Sequence, residues 1–284
     1  MKELDFINII KEQTKSEFLG DDCAYLKDLG IVVTQDNFVE DVHFKTAWAS
    51  PYQIGYKAAA VNVSDILASG GKPEYFMVGL SIPSNISDSF ISELYRGISA
   101  GSYGSKIAGG DITASDKIFI SITAVGTAKN RKISSRSCAK PGYVVITEGK
   151  YGESSVGLQE LLNGVKTSQN ILAHLEPKLN PVFSEQISTK IKTGYAMMDT
   201  SDGLADALYK IAEASNCSID ADVIEGMFGA EDYHLVAAVP EEFLKEINGY
   251  YVVGTVKEKD DYILKIGNNK YNSYDKLGLY NHFA

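Results

Sequence analysis

Aspartates recur beside glycines and at the polar ends of apolar runs: GDDCA (Gly20 to Ala24), TQD (Thr34 to Asp36), NVSD (Asn62 to Asp65), GGD (Gly109 to Asp111) and DTSDG (Asp199 to Gly203). Asp and Gly are turn formers, and any one of these stretches can be read as a plain turn. Asp65 is different. At about 100° per residue it shares a helical stripe with Ile54, Ala58 and Val61, the face expected to be buried. A buried carboxylate needs a cation or several donors to offset its desolvation.

Asp199 and Asp202 have two readings. A strand through Met197, Met198 and Asp199 runs into Ser201, expected as a helix N-cap, with Asp202 in the first turn. In one reading the serine caps the helix and Asp202 complements its dipole. In the other, two carboxylates beside free backbone N–H groups hold Mg²⁺ and a phosphate together. No His/Cys cluster favours zinc over a hard, oxygen-liganded ion. The chain lacks a Gly-x-x-x-x-Gly-Lys-Ser/Thr loop, a Gly-x-Ser-x-Gly elbow and the protein-kinase motif set. Phosphate chemistry here must therefore rest on carboxylate-bound metal.

These residues need elements to position them. Ser50-Pro51 opens a helix through YQIGYKAAAVNVSDILAS that stops near Gly70-Gly71. GIVVTQD and FMVGLSI read as strands, and a helix from Ser87 to about Lys106 carries Phe90, Leu94 and Ile98 on one face. IAGGDITASD then connects to KIFISITAVGTA, a strand with Ile118, Ile120 and Ile122 on one side. The basic KNRKISSRSCAKPG marks an interdomain boundary, giving domains over 1–138 and 139–284. The second half repeats the mixed pattern: strands YVVITE, YAMMDT, EDYHLVAAV and YVVGTV, and helices SSVGLQELL, VFSEQISTKIK and SDGLADALYKIAEAS, with the proline-containing HLEPKLNP as a connection. The expected class is mixed α/β (α+β) in two domains.

Over 284 residues, 44% hydrophobic and 23% charged content fits a globular enzyme and excludes disorder. A net charge of −10 argues against nucleic acid or an anionic membrane as partner. An anionic small substrate stays compatible, since bound metal reverses a local field. Cys23, Cys138 and Cys217 are few and scattered, and neither a signal peptide nor a spanning segment is read, so a cytoplasmic location is expected.

In order, GDDCA, TQDNFVEDVHF, KAAAVNVSDILASGGKP, AGGDIT, SRSCAKPG, MDTSDGL, GAEDYHL and LYNHF resemble the motif series of thiamine-monophosphate kinases, from about Leu19 to the C-terminus. That family belongs to the aminoimidazole ribonucleotide synthetase-like superfamily. The resemblance implies its two-domain fold, with an N-terminal ATP- and Mg-binding dimerisation domain and a C-terminal α/β domain completing the site. It implies several Mg²⁺ ions at Asp22, Thr34, Gln35, Asp36, Asp65, Asp111, Asp199 and Asp202, with Asp36, Asp65, Asp111 and Asp202 in catalytic roles. ATP contacts would come from Tyr95, Gly110, Asp111, Arg136 and Ser201, and substrate contacts from His43, Glu231 and Tyr280. On residue type alone, His43 reads as a half-buried strand histidine, Arg136 as a linker charge, Tyr95 as helix packing and Tyr280 as a tail aromatic. Three departures stand out: Gln35 where the family has Thr, a shortened stretch between Asp220 and Glu231, and Asn281 in place of Asp.

The reaction implied is transfer of the ATP γ-phosphoryl group to thiamine monophosphate, giving thiamine diphosphate and ADP. The nucleophile is a phosphate oxygen with a second pKa of about 6, so no base is needed. A homodimer is expected, from the superfamily's habit of pairing N-terminal sheets. The alternatives are a superfamily enzyme with another acceptor, or a non-catalytic nucleotide or Mg²⁺ sensor. The set His43, Glu231 and Tyr280 favours the kinase, since a sensor has no need of it.

Overall fold

A computed structural model describes residues 3–279. In the first half the elements are α1 (Glu3–Thr14), β1 (Ala24–Leu26), β2 (Ile31–Val39), α2 (Pro51–Ala68), β3 (Lys72–Ile82), α3 (Asp88–Gly101), β4 (Lys106–Ala114) and β5 (Phe119–Thr127). The second half contains β6 (Val144–Thr147), α4 (Glu153–Leu162), α5 (Gln169–Leu175), α6 (Pro181–Lys190), β7 (Ala196–Asp199) and α7 (Leu204–Ala214). It ends with β8 (Ser218–Ala221), β9 (Leu235–Val239), β10 (Tyr251–Lys257), β11 (Leu264–Ile266) and β12 (Asn269–Tyr271).

Strands β1 to β5 form one sheet in the order β1-β2-β5-β3-β4, antiparallel except for the parallel pair β3 and β4. The other seven form a second sheet, β12-β11-β8-β10-β6-β9-β7. This is the mixed α/β class expected. Apolar alternation builds the first sheet: Ile120, Ile122 and Ala124 of β5 are buried beside Phe76, Val78 and Leu80 of β3.

Helix α2 organises the molecule. Ser50 accepts from the Gln53 N–H while the Gln53 side chain accepts from the Ser50 N–H, a capping box, and Pro51 supplies the preset φ of the first turn. From Ile54 onward nearly every residue is buried, because α2 packs on the first sheet, on α3 and on elements of the second half. Its contact with α3 is close because both sides carry glycine. A Cβ on Gly55 would stand 2.0 Å from the Leu94 carbonyl oxygen, and one on Gly97 1.9 Å from that of Tyr52. Ile66 and Leu67 of α2 share one apolar cluster with Phe183 and Ile187 of α6 and Met197 of β7. A single core thus crosses between the two sheets.

Three local expectations change. AGGDIT is not a connection: it lies inside β4, parallel to β3 and exposed along its length. Glycines and polar residues weaken the apolar signal of an edge strand that buries neither face. Ser201 does not cap α7. The cap is Gly203 at φ 103°, so Ser201 and Asp202 precede the helix in a turn. The short helix α5, capped by Ser168, runs into HLEPKLNP through His174 and Leu175, so the connection begins at Glu176.

Candidate active site

The acidic stretches converge where β2, α2 and β7 meet. Carboxylate oxygens of Asp22, Asp65 and Asp199 lie within 4.8 Å of one another. Asp199 is buried at the end of β7 and the Asp22 side chain is only 5% exposed, while Asp65 keeps partial access to solvent. Asp65 is therefore less enclosed than its helix stripe suggests, because its turn of α2 faces this cluster. The Thr34 hydroxyl donates to Asp65 Oδ2 at 2.6 Å, and Ser64 donates to Asp199 Oδ2 at 2.6 Å. Buried Asn62 bridges the layers, donating to the Ala58 carbonyl and accepting from the Asp36 N–H at 3.1 Å.

The electrostatics are those of crowded like charges. Burial, then the charge of Asp22, pushes Asp36 up to about 6. Burial and Asp22 likewise move Asp199 up to about 7, partly offset by the Ser64 hydroxyl. Asp65 is raised well above the carboxylate range by burial and by Asp36, Asp199 and Asp22. One cation touches the group: Arg136 Nη2 stands 2.8 Å from Asp22 Oδ1, and its backbone N–H donates to Asp21. Arg136 Nε is buried with no hydrogen-bond partner among the described residues, leaving donor capacity for a further anion. Hard, clustered oxygen donors carrying more negative charge than one guanidinium offsets fit a divalent ion such as Mg²⁺.

Other expected residues sit apart from this group. Strand alternation turns Gln35 to the opposite face of β2, where its side-chain oxygen accepts from Thr123 at 2.8 Å. The register Gln35–Thr123–Met77–Gly109 runs across the sheet, and Asp111 lies two residues further along β4 on that same open face. Asp111 meets Gly110 and Tyr95 in a cavity of about 300 Å³ that also takes in Val78, Ile107 and Ile112. Gly110 is required there, since a Cβ would sit 1.9 Å from the Val78 carbonyl oxygen. Asp202 pairs with Lys210 at 3.1 Å, outside the acidic group.

His43 is not in a strand. β2 ends at Val39, Asp41 turns the chain at φ 66°, and His43 Nδ1 accepts from the Val39 N–H at 3.1 Å with its ring stacked on Phe38. Glu231 also adopts a left-handed backbone, φ 66°, and its N–H donates to the Ser201 carbonyl at 2.7 Å. Its Oε1 lies 3.1 Å from Lys57 and its Oε2 3.4 Å from His174; Lys57 opens the KAAAVNVSDILASGGKP motif without an assigned role, and His174 lies outside every motif. A lysine inside the apolar run YKAAAV was the available signal; an isolated His174 carried none. Tyr280 and Asn281 lie outside the described residues.

Comparison with known proteins adds an independent line. The family described as AIR synthase related protein, N-terminal domain, matches residues 20–128. A thiamine-monophosphate kinase of Bacillus subtilis is 36% identical over 279 residues, covering 85% of each chain. One from Prochlorococcus marinus is 33% identical, covering 90% of this chain and 88% of the relative. A solved structure described as AaThiL complexed with AMPPCP and TMP superposes with a TM-score of 0.88 at 27% identity, over 99% of this chain and 97% of that one.

Proposed function

This chain belongs to the thiamine-monophosphate kinase family, and on that premise we propose how its residues divide the work of phosphorylating thiamine monophosphate to thiamine diphosphate with ATP. The observation that carries the reading is the convergence of Asp22, Asp65 and Asp199, with Thr34 and Asp36 beside them, next to a half-buried arginine. Both reactants are polyanions, and phosphoryl transfer depends on positioning and charge neutralisation.

Asp22, Thr34, Asp36, Asp65 and Asp199 are assigned to hold Mg²⁺ on the α2 side of the first sheet, with Asp111 and Gln35 contributing from its open face and Asp202 from the turn before α7. Bound there, the ions neutralise charge on phosphate oxygens. Tyr95, Gly110 and Asp111 receive the nucleotide in the cavity beside β4. Arg136 and Ser201 contact its phosphates. His43, Glu231 and Tyr280 orient the acceptor. The acceptor phosphate is its own nucleophile, being largely ionised above pH about 6, so no side chain has to remove a proton.

The homodimer is proposed to form through the same sheet. Among the described residues no strand pairs beyond β4; Tyr75 and Met77 of β3 and Ile107 and Ile112 of β4 are exposed apolar residues near that edge. Pairing two copies there would cover this surface and close the open-face residues against the partner. We assign residues 1–138 to the nucleotide-binding and dimerisation domain and residues 139–284 to the domain that completes the site. The cytoplasm is the proposed location. Among the described residues no helix is long and apolar enough to cross a membrane.

The test is ADP release with ATP and a panel of acceptors. Thiamine monophosphate should stimulate it in the presence of Mg²⁺, and unphosphorylated thiamine should not, because a hydroxyl nucleophile needs a base and this reading assigns none. Equal stimulation by both would sink the assignment. ADP release without any acceptor would point instead to a nucleotide sensor or another superfamily activity.

A further inference from the structure

Lys57 is the one lysine in the buried stretch of α2, with 3% of its side chain exposed. Burying an ammonium is costly unless it is paired. Among the described residues its partner is Glu231, an ion pair 3.1 Å away, and its Nζ makes no well-aligned hydrogen bond. The charge therefore sits in the core to act on this one carboxylate.

Glu231 is restrained at several points. Its backbone holds a left-handed conformation rare for a residue with a Cβ and is pinned by the Ser201 carbonyl. Its second oxygen faces His174 Nδ1 at 3.4 Å, and that nitrogen lies 3.0 Å from the Ser154 hydroxyl. Burial, then the Lys57 charge, lowers His174 to about 4, so the imidazole is neutral near pH 7. A carboxylate beside Nδ1 selects the tautomer with its proton there. Burial alone would raise Glu231, but Lys57, His174 and the more distant His43 together hold it below the ordinary glutamate range. The side chain is still 27% exposed, so part of the ionised carboxylate remains open to a ligand.

We propose that Lys57 is a positioning residue for the acceptor, holding the Glu231 carboxylate ionised and oriented, with His174 fixing its second oxygen. This rests on the assignment of Glu231 to acceptor binding. Thiamine monophosphate carries an aminopyrimidine and a cationic ring, both of which favour an anionic acceptor group. The device spans the two halves: Lys57 comes from α2, His174 from α5 and Glu231 from the turn before β9. On the same helix, Gln53 donates to Glu176 at 3.0 Å and Tyr56 to the Pro177 carbonyl at 3.2 Å, so the α2–α5 contact does not depend on Lys57 alone.

The experiment compares Lys57→Met, Glu231→Gln and the double variant, with KM measured separately for thiamine monophosphate and for ATP. Lys57→Met should raise the acceptor KM at least tenfold and change the ATP KM less than twofold. Its acceptor KM should also worsen more steeply than that of wild type as pH falls, because Glu231 without its cation is protonated more readily. In the Glu231→Gln background, Lys57→Met should cost no further acceptor affinity. A parallel rise in both KM values, or additive effects in the double variant, overturns the proposal. If Lys57→Met alone does not fold, Glu231→Gln against the double variant, which carries neither charge, makes the same comparison. A normal acceptor KM in Glu231→Gln overturns both this proposal and the assignment of Glu231. A raised one beside a normal Lys57→Met overturns the positioning role alone.

Discussion

Ser64 on α2 donates its hydroxyl to Asp199 Oδ2 at 2.6 Å, joining residues 135 positions apart in the sequence. Both are buried, so the bond ties the last residue of β7 to the helix that carries Asp65. It also supplies a donor that favours the ionised form of Asp199 within a cluster that otherwise discourages it. Ser64→Ala should lower stability by about 1–3 kcal/mol, the usual cost of leaving a buried acceptor unpaired. It should also weaken Mg²⁺ binding measured by calorimetry. Unchanged melting and unchanged Mg²⁺ affinity would show that the contact contributes nothing.

A second prediction concerns the metal-free protein and pH. Asp36 and Asp199 are pushed up to about 6 and about 7 from an ordinary 3.8. In that interval the folded chain binds protons that the unfolded chain has released. The resulting stability is complete below pH about 4 and is lost as pH rises through 6 and 7. With chelator present, the change in melting temperature between pH 5.5 and pH 8 should include a loss that Asp65→Asn reduces, since it removes one of the mutually repelling charges. Added Mg²⁺ should recover stability at pH 8. The same pH slope in wild type and Asp65→Asn would mean that the cluster does not behave as one coupled group.

Asp111 gives a kinetic prediction. It is exposed on an edge strand and lies outside the Asp22, Asp65 and Asp199 group, so Asp111→Asn should fold normally. If it serves the transferring phosphate, kcat/KM should fall about a hundredfold, equivalent to about 3 kcal/mol. A melting curve and a rate both like wild type would remove it from the site.

His43 tests the base-free mechanism. Activity should rise as the acceptor phosphate loses its second proton near pH 6 and then level off. Imidazole is the side chain whose chemistry suits proton transfer near neutral pH, so His43 is the competing source of that limb. His43→Gln should lower activity and leave the limb in place. Its disappearance would assign the proton to His43.

Much of this site was legible because its ligands are short, charged and embedded in ordered motifs. Asp65 declared itself by falling on an apolar helix stripe, and Ser50-Pro51 by its cap chemistry. β4 hid because an exposed edge strand lacks apolar alternation, and the α7 cap was misread because Gly203 reaches a backbone conformation that Ser201 would have to avoid. The separation of Gln35 from Thr34 could be counted from alternation along β2, but the placing of Asp111 on the Gln35 face depends on cross-strand register, which no local pattern fixes. Lys57 and His174 lie far apart in sequence, and only the packing of α2 on α5 brings them to one carboxylate.

The glycine contact between α2 and α3 has a consequence for which changes of chain length the protein can absorb. Lys57 and Asp65 are eight residues apart on one continuous helix, about 12 Å along its axis. The spacing between the acceptor end and the acidic end is thus counted in helical residues rather than set by adjustable loops. One inserted or deleted residue between them would rotate one end against the other by about 100°. With Gly55 seated on the Leu94 carbonyl and Gly97 on that of Tyr52, α2 has no room to turn and restore the match. The number of residues between Lys57 and Asp65 is therefore as constrained as the two side chains themselves.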